Sequence, residues 1–233
     1  MCTHYAFMLG MEALRAMFDL AAHMDYPVRY NVAPNQVAPI IVWEPVGRVP
    51  VLARWGFRKS GASVRPVNAR AETVARSPLF KGSFRERRCV VPVSGFYEPR
   101  KKPGMKRGDQ QWYFSAAAEV LPLAGIFAAP TDEGETPTFA VITTDANETV
   151  GRVHHRMPVI LDEPGWRAWL DPEIDDADSL GSLLAPSTPA GFAGRRVKME
   201  YVNRPSEHDG PECIEPYEAS GEAQPGLFGD PGG

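Results

Sequence analysis

Residues 89–98 read Cys-Val-Val-Pro-Val-Ser-Gly-Phe-Tyr-Glu, an apolar run that ends in one carboxylate. Such a run is typical of a buried β-strand. Shorter runs of similar composition lie on both sides of it, with a few helical stretches between them, which indicates an α+β fold. We predict a single domain of mixed and antiparallel β-sheets, curled into a barrel-like core with a few flanking helices. The other predicted strands are 37–43, 51–55, 112–115, 123–128, 138–144, 159–161 and 195–202.

Helical periodicity is clearest near the amino terminus. Residues 9–24 place Leu14, Met17, Phe18 and Ala21 on one face, which predicts an amphipathic helix packed on the core. Further helices are predicted at 166–170 and 174–184, and a turn at 45–50.

The composition, 43% hydrophobic and 23% charged over 233 residues, is that of an ordinary soluble globular protein. Residues 218–233 are rich in Gly and Pro, so we expect a disordered tail after a domain of residues 2–217. The chain has neither a long apolar run nor a signal-peptide pattern. We therefore expect a cytoplasmic protein that does not enter a membrane, with a monomer as the default state.

The three cysteines, Cys2, Cys89 and Cys213, are widely separated. An odd number without paired spacing argues against a disulfide framework and against a zinc site, and it fits a reducing compartment. The adjacent His154 and His155 point in different directions along the chain, and no third ligand has matching spacing. We predict neither a metal nor another cofactor.

Charge is strongly segregated along the chain, although its net value is only −4. Residues 54–107 contain fifteen Lys and Arg against three acidic residues, whereas residues 162–233 contain five against fifteen. A segregated basic segment is typical of a polyanion site. A solvated basic face with no ligand explains the charge equally well.

The chain begins Met1-Cys2. Cys is small enough for the initiator Met to be removed, which would leave Cys2 with both an α-amine and a thiol. An amine forms a Schiff base with an aldehyde, and the neighbouring thiol can then close a thiazolidine ring. The same terminus could instead attack an amide carbonyl as an N-terminal nucleophile.

Two further residues suit proton transfer. Glu98 ends an apolar run, where burial would raise its pKa toward that of a general acid or base; pairing with a nearby arginine is the structural alternative. His154 lies in a polar loop just before Pro158, where an imidazole can carry protons near neutral pH. Asn68 and Arg70 alternate in an extended segment, so they share a face suited to phosphate or sugar oxygens.

Taken together, these motifs resemble the SOS response-associated peptidase family, the SRAP domain. The resemblance runs from Cys2 to about Tyr217, in the family's order and at comparable spacing. It is carried by Met1-Cys2, residues 30–34 (YNVAP), Arg54-Trp55-Gly56, residues 68–73 (NARAET), residues 88–98, and His154-x-Arg156-Met157-Pro158.

The resemblance implies a DNA-damage-response protein that captures abasic sites in single-stranded DNA. Cys2 would form a thiazolidine with the sugar aldehyde, and lyase-type chemistry or slow reversal is compatible with this. The catalytic residues would be Cys2, with Asn68 positioning the sugar, Glu98 in acid–base steps and His154 in proton transfers. The DNA-binding residues would be Trp55 at the base stack, Arg70 and Arg156 on phosphates, and Thr143.

Three positions depart from the family pattern. His4 replaces an arginine, Pro99 follows the glutamate in place of an aromatic residue, and His155 replaces an acidic residue. These departures bear on DNA affinity and on adduct lifetime.

Two alternatives stay open. In one, Cys2 acts as a peptidase nucleophile, whose substrate could be limited to the chain's own leader Met. In the other, the chain is a non-catalytic module that binds single-stranded DNA, for which the basic segment matters and Cys2 does not. Both the capture of abasic sites and the non-catalytic binding of single-stranded DNA imply association with DNA in the nucleoid.

Overall fold

A computed structural model describes residues 2–58, 65–100, 110–130 and 134–217. The predicted tail, 218–233, and most of the basic stretch after Arg100 lie outside these residues. Twelve strands are described: β1 His4–Phe7, β2 Arg29–Val32, β3 Val37–Glu44, β4 Gly47–Trp55, β5 Asn68–Arg70, β6 Arg88–Val93, β7 Gly95–Arg100, β8 Gln110–Ser115, β9 Leu121–Ala128, β10 Thr138–Asp145, β11 Arg156–Pro158 and β12 Ala193–Val197.

The described helices are short. They are α1 Met11–Phe18, α2 Ala71–Val74, α3 Lys81–Glu86, α4 Glu148–Gly151, α5 Glu163–Leu170, α6 Ala177–Ser182, α7 Met199–Val202 and a 3-10 helix at Pro211–Cys213. The longest of them, α1 and α5, have eight residues each. Within the described ranges, therefore, no helix has the length and apolar content needed to cross a bilayer.

The strands form two sheets, and one of them closes on itself. The first sheet has the order β12-β8-β7-β1-β2, with antiparallel pairs throughout. The second runs β11-β10-β4-β3-β6-β9, and an extra pairing of β9 with β10 joins its path into a ring. Strand β10 also pairs in parallel with β4 and β5. The α+β prediction of mixed sheets around a curled core, with few helices, is confirmed.

Residues 89–98, predicted as one strand, belong to two strands in different sheets. Strand β6 lies in the ring, and β7 lies in the other sheet, so the chain changes sheets at Ser94. Gly95 permits this crossing because a Cβ there would lie 2.4 Å from the Tyr113 ring. All six residues of β6 are buried. Its apolar side chains belong to a core cluster that includes residues of both sheets.

Several predicted boundaries are wrong for identifiable reasons. Helix α1 ends at Phe18 because Asp19 adopts a left-handed conformation (φ 50°). Strand β4 starts at Gly47, so most of the predicted turn at 45–50 is strand, with Pro50 opposite Ile41. The strand predicted at 159–161 lies earlier, at β11, and the one predicted at 195–202 divides into β12 and α7.

Candidate active site

Strand pairing brings four separated segments together. Strand β1 lies against β7 with His4 opposite Tyr97, which places the amino terminus beside Glu98. Strand β10 carries β5 on one side, with Arg70 opposite Thr143, and β11 on the other, with Arg156 opposite Asp145.

Cys2 is held at the junction of these segments. It is fully buried, and the Asn68 amide Nδ2 donates a hydrogen bond to the Cys2 carbonyl oxygen at 2.9 Å. The Cys2 thiol lies 3.7 Å from the His4 carbonyl oxygen. Burial, and then the nearby charge of Glu98, raises the pKa of this thiol far above its usual range. The sulfur is therefore a protonated thiol at neutral pH, not a standing thiolate.

Glu98 is a fully buried carboxyl group. Its burial raises the pKa of the carboxyl from 4.5 to about 7, because an anion loses its hydration in the core. A carboxyl with this pKa can both donate and accept a proton near neutral pH, which is the property required of a general acid–base group.

His154 lies next to Glu98, with 3.6 Å between Nδ1 and the carboxylate Oε2. The Arg156 backbone N–H donates to Nδ1 at 3.1 Å, and the Arg156 carbonyl oxygen lies 3.0 Å from the same nitrogen. Nδ1 accepts in the first contact and donates in the second, so the tautomer selects between them. Burial lowers the pKa of His154 to about 4, which leaves the imidazole neutral at physiological pH.

Asn68 offers one polar atom that the fold does not use. Its Nδ2 is committed to Cys2, whereas its Oδ1 is buried without a hydrogen-bond partner among the described residues. An unsatisfied buried acceptor costs about 1–3 kcal/mol. It is an acceptor for a hydroxyl of a molecule that reaches Cys2.

The predicted phosphate ligands differ in availability. Arg70 is exposed at the end of β5. The Arg156 guanidinium is instead buried and is held by Glu72 through two nitrogens, by Asp145 at 2.8 Å and by the Thr143 carbonyl at 2.6 Å. Thr143 is also buried, and its hydroxyl donates to the Ala69 carbonyl at 3.3 Å.

Trp55 lies in the core in this structure. The indole is completely buried, stacked on Phe139 at a centroid distance of 6.1 Å and packed 5.0 Å from the Tyr5 ring. Its Nε1 donates to the Val67 carbonyl at 2.8 Å. Stacking of this ring on a DNA base stays a prediction and would require the ring to become exposed.

Neither the role of Glu72 nor the charge state of His4 follows from the sequence. Glu72 lies in the quoted stretch 68–73, but its partner Arg156 is 84 residues away, and no sequence pattern links them. His4 is half-buried, and burial lowers its pKa to about 4, so it carries no charge at neutral pH. The expected arginine at that position would be a permanent cation.

Metal binding has no support in the described ranges. They contain no group of three or more His, Cys, Asp or Glu side chains placed to share an ion. The chemistry available at the site is a thiol at Cys2, a carboxyl near its titration midpoint and a neutral imidazole.

Comparison with known proteins gives one consistent result. Residues 1–205 match the family model described as SOS response associated peptidase (SRAP). The abasic site processing protein YoqW of Bacillus subtilis is 29% identical over 232 residues, which cover 93% of this chain and 100% of YoqW. The abasic site processing protein HMCES of Gallus gallus is 29% identical over 234 residues, covering 83% of this chain and 67% of HMCES.

A solved structure shows the same fold. A protein from Bacteroides thetaiotaomicron superposes with a TM-score of 0.79 over 93% of this chain and 100% of its own, at 23% identity.

Proposed function

The chain belongs to the SOS response associated peptidase (SRAP) family, and from this premise we propose that it captures abasic sites in single-stranded DNA as a covalent thiazolidine on Cys2. The relatives YoqW and HMCES are named abasic site processing proteins. The observation that carries the proposal is the position of Glu98, a buried carboxyl with a pKa of about 7 beside Cys2 and His154.

The first step requires removal of Met1, which frees the Cys2 α-amine. The amine attacks the C1 aldehyde of the ring-opened abasic sugar, and loss of one water gives a protonated imine. Glu98 in its protonated form supplies the proton that the departing hydroxyl needs. The buried Asn68 Oδ1 accepts a hydrogen bond from a sugar hydroxyl and so positions the sugar over the amine.

The second step closes the ring. The Cys2 sulfur adds to the carbon of the protonated imine, and the electron pair of the C=N bond moves to the nitrogen, which becomes a neutral secondary amine. Glu98, ionised by the first step, accepts the thiol proton and is again a carboxylic acid, so no net acid or base is consumed. Because the pKa of the thiol is raised, the amine reacts first and sulfur addition waits for the base.

His154 carries protons between Glu98 and the sugar. As a neutral imidazole, it can accept the proton that ring-opening of the sugar hemiacetal releases. Reversal would use the same groups in the opposite direction, since each step is a proton-coupled addition or elimination. Any lyase activity would instead start from the protonated imine, where a base removes a sugar C2 proton and the 3′ phosphate leaves.

DNA binding rests on Arg70 in this proposal. Arg70 is exposed at the end of β5, two residues after Asn68. Its guanidinium provides the phosphate contact closest to Cys2. Arg156 contributes by holding the loop that carries His154, since both terminal nitrogens of its guanidinium are already bound by two carboxylates and a carbonyl.

The peptidase alternative stays a prediction that no specific observation favours. An oxyanion formed by attack on the bond before Cys2 would develop on the preceding residue. The Asn68 donor at the site is instead bound to the carbonyl of Cys2 itself.

Two substitutions test the covalent step. Cys2→Ala keeps the amine and loses the sulfur, so we expect no heat-stable adduct with an abasic oligonucleotide, while borohydride still traps the imine. Cys2→Ser is the matched control for size and polarity. A heat-stable adduct with Cys2→Ala would exclude the thiazolidine, and a wild-type protein that binds without any adduct would favour the non-catalytic module.

A further inference from the structure

A second polar cavity lies at the other end of β10 from Cys2. It encloses about 320 Å³, and Thr138, the first residue of β10, forms part of its wall. Asn68, which donates a hydrogen bond to the Cys2 carbonyl, lies opposite Val141 on that strand. Three residues of strand at about 3.3 Å each separate Thr138 from Val141 by about 10 Å. The cavity is therefore distinct from the pocket where the aldehyde reacts.

Three arginines and one acidic residue line this cavity: Arg54, Arg58, Arg65 and Glu135. Two of the arginines are already engaged. Arg54 donates to the Asn35 carbonyl oxygen at 2.6 Å, and Arg58 pairs with Glu135 at 3.1 Å. Arg65 is exposed, and among the described residues its guanidinium has neither a hydrogen-bond nor an ion-pair partner. The lining thus has an excess of positive charge and one guanidinium available to a ligand.

Arg65 is connected to the reaction site by the chain itself. It precedes Asn68 by three residues, and the Phe57 backbone N–H binds the Pro66 carbonyl at 2.9 Å, which fixes the segment against the end of β4. Three extended residues span about 10 Å. A helical DNA strand rises about 3.4 Å per nucleotide, so this reach equals about three nucleotides.

The lining favours a phosphodiester over other ligands. A guanidinium presents paired N–H donors that match phosphate oxygens. The cavity wall is also more polar than apolar.

We propose that this cavity, with Arg65 as its uncommitted cation, is a second phosphate subsite that holds the backbone of the same DNA strand about three nucleotides from the abasic position. The inference rests on the proposed function and adds a direction to it. The bound DNA strand runs from Cys2 past Asn68 toward Arg65. Only the flank of the DNA on that side of the lesion therefore gains affinity from the subsite.

Binding to oligonucleotides of different lengths tests this subsite. The probe is a single-stranded 15-mer with a central abasic analogue that lacks the aldehyde, so binding is measured without adduct formation. We expect Arg65→Ala to weaken binding about fivefold at 0.1 M salt and to reduce the salt slope by about 0.7, the contribution of one phosphate contact on a single strand. Arg65→Lys should restore most of the slope, because it keeps the charge.

The length series separates the subsite from a general charge effect. With a 5-mer that has two nucleotides on each side of the lesion, wild type and Arg65→Ala should bind equally. Two further oligonucleotides carry a long flank on only the 5′ side or only the 3′ side of the lesion. Arg65→Ala should weaken the binding of one of them and leave the binding of the other unchanged. Arg85→Ala is the control, because Arg85 is an exposed arginine of the basic segment that lies 3.7 Å from Asp175 and outside the cavity.

Three results would overturn the proposal. The first is a loss of affinity with Arg65→Ala that is the same for the 5-mer and the 15-mer. The second is a loss of affinity for the 15-mer with Arg85→Ala that equals the loss with Arg65→Ala. The third is binding of the mononucleotide dAMP that depends on Arg65 and that the 15-mer does not compete away. None of them depends on whether wild type forms an adduct with an aldehyde-bearing site. Failure of the subsite and failure of the capture chemistry are therefore distinguished.

Discussion

Glu98 shows how one residue acquires its chemistry from its surroundings. It follows three buried residues of β7 and is itself completely buried, so its charged form loses hydration that the core does not replace. The raised pKa, about 7, expresses that loss. The position is costly for folding and useful for proton transfer, which is typical of a functional residue.

This cost predicts a pH-dependent stability that Glu98→Gln should remove. The folded pKa, about 7, lies above the unfolded value of 4.5, so between these pH values the folded state binds more protons. Wild type is therefore most stable below about pH 4.5 with respect to this group and loses stability as pH rises to about 7. We expect the free energy of unfolding of Glu98→Gln, relative to wild type, to increase by up to about 3 kcal/mol over that range.

Denaturant titrations of both proteins at several pH values measure this difference. A difference that stays constant from pH 4.5 to 7.5 would show that Glu98 titrates at an ordinary pKa. It would also remove the basis for its acid–base role.

The placement of single residues marks the limit of sequence reasoning. Cys2, Asn68, Glu98 and His154 were predicted from their chemistry, and the structure brings them together. The burial of Trp55 and the pairing of Arg156 with Glu72 were not predictable, because both depend on contacts between segments far apart in sequence. Periodicity reports which residues are apolar or charged, and it does not report which partner satisfies them.

At the level of elements, the crossing from β6 to β7 determines the geometry of the site. Composition identifies residues 89–98 as strand, but within this largely apolar run only one residue indicates that the chain changes sheets at Ser94. The signal is Gly95, where the neighbouring strand approaches too closely for a side chain. Glu98 is three residues further on, so any displacement of β7 moves the carboxyl relative to Cys2.

Gly95→Ala should therefore damage both stability and chemistry. The added methyl would lie 2.4 Å from the Tyr113 ring and 2.5 Å from the Phe114 carbonyl oxygen, which forces β7 and β8 apart. Overpacking of this kind costs about 1–3 kcal/mol. For a chain of this size, that corresponds to a melting temperature lower by about 2–12 °C.

The control is Gly82→Ala, because a Cβ at Gly82 in α3 meets nothing within 4 Å. We expect Gly82→Ala to leave the melting temperature and the rate of adduct formation almost unchanged, whereas Gly95→Ala slows the adduct. Equal melting temperatures for wild type and Gly95→Ala would contradict the close packing described for β7 and β8.

At the scale of the whole molecule, the α+β architecture with a curled core was predicted from the sequence, but the pair of strands that closes one sheet into a ring was not. Closure depends on the pairing of β9 with β10, which no local pattern encodes. The charge segregation is a property of the whole chain as well. Fifteen basic residues between 54 and 107 include Arg65 and Arg70, on either side of Asn68. A polyanion bound along this segment would pass Asn68, which is hydrogen-bonded to the reactive Cys2.

Arg70→Ala tests that electrostatic account. Removing one phosphate contact should weaken binding to a single-stranded oligonucleotide and reduce the salt slope by about 0.7. Binding measured between 50 and 200 mM salt gives the slope directly. An unchanged slope would remove Arg70 from the phosphate path and leave the basic segment as a solvated face.

The most direct test of the capture chemistry is the intact mass of the product. The purified protein is mixed with a single-stranded oligonucleotide that carries one abasic site, and the mixture is denatured before mass spectrometry. We predict a species equal to the protein without Met1, plus the oligonucleotide, minus one water. A protein that has already lost Met1 and forms no such species would contradict aldehyde capture by Cys2.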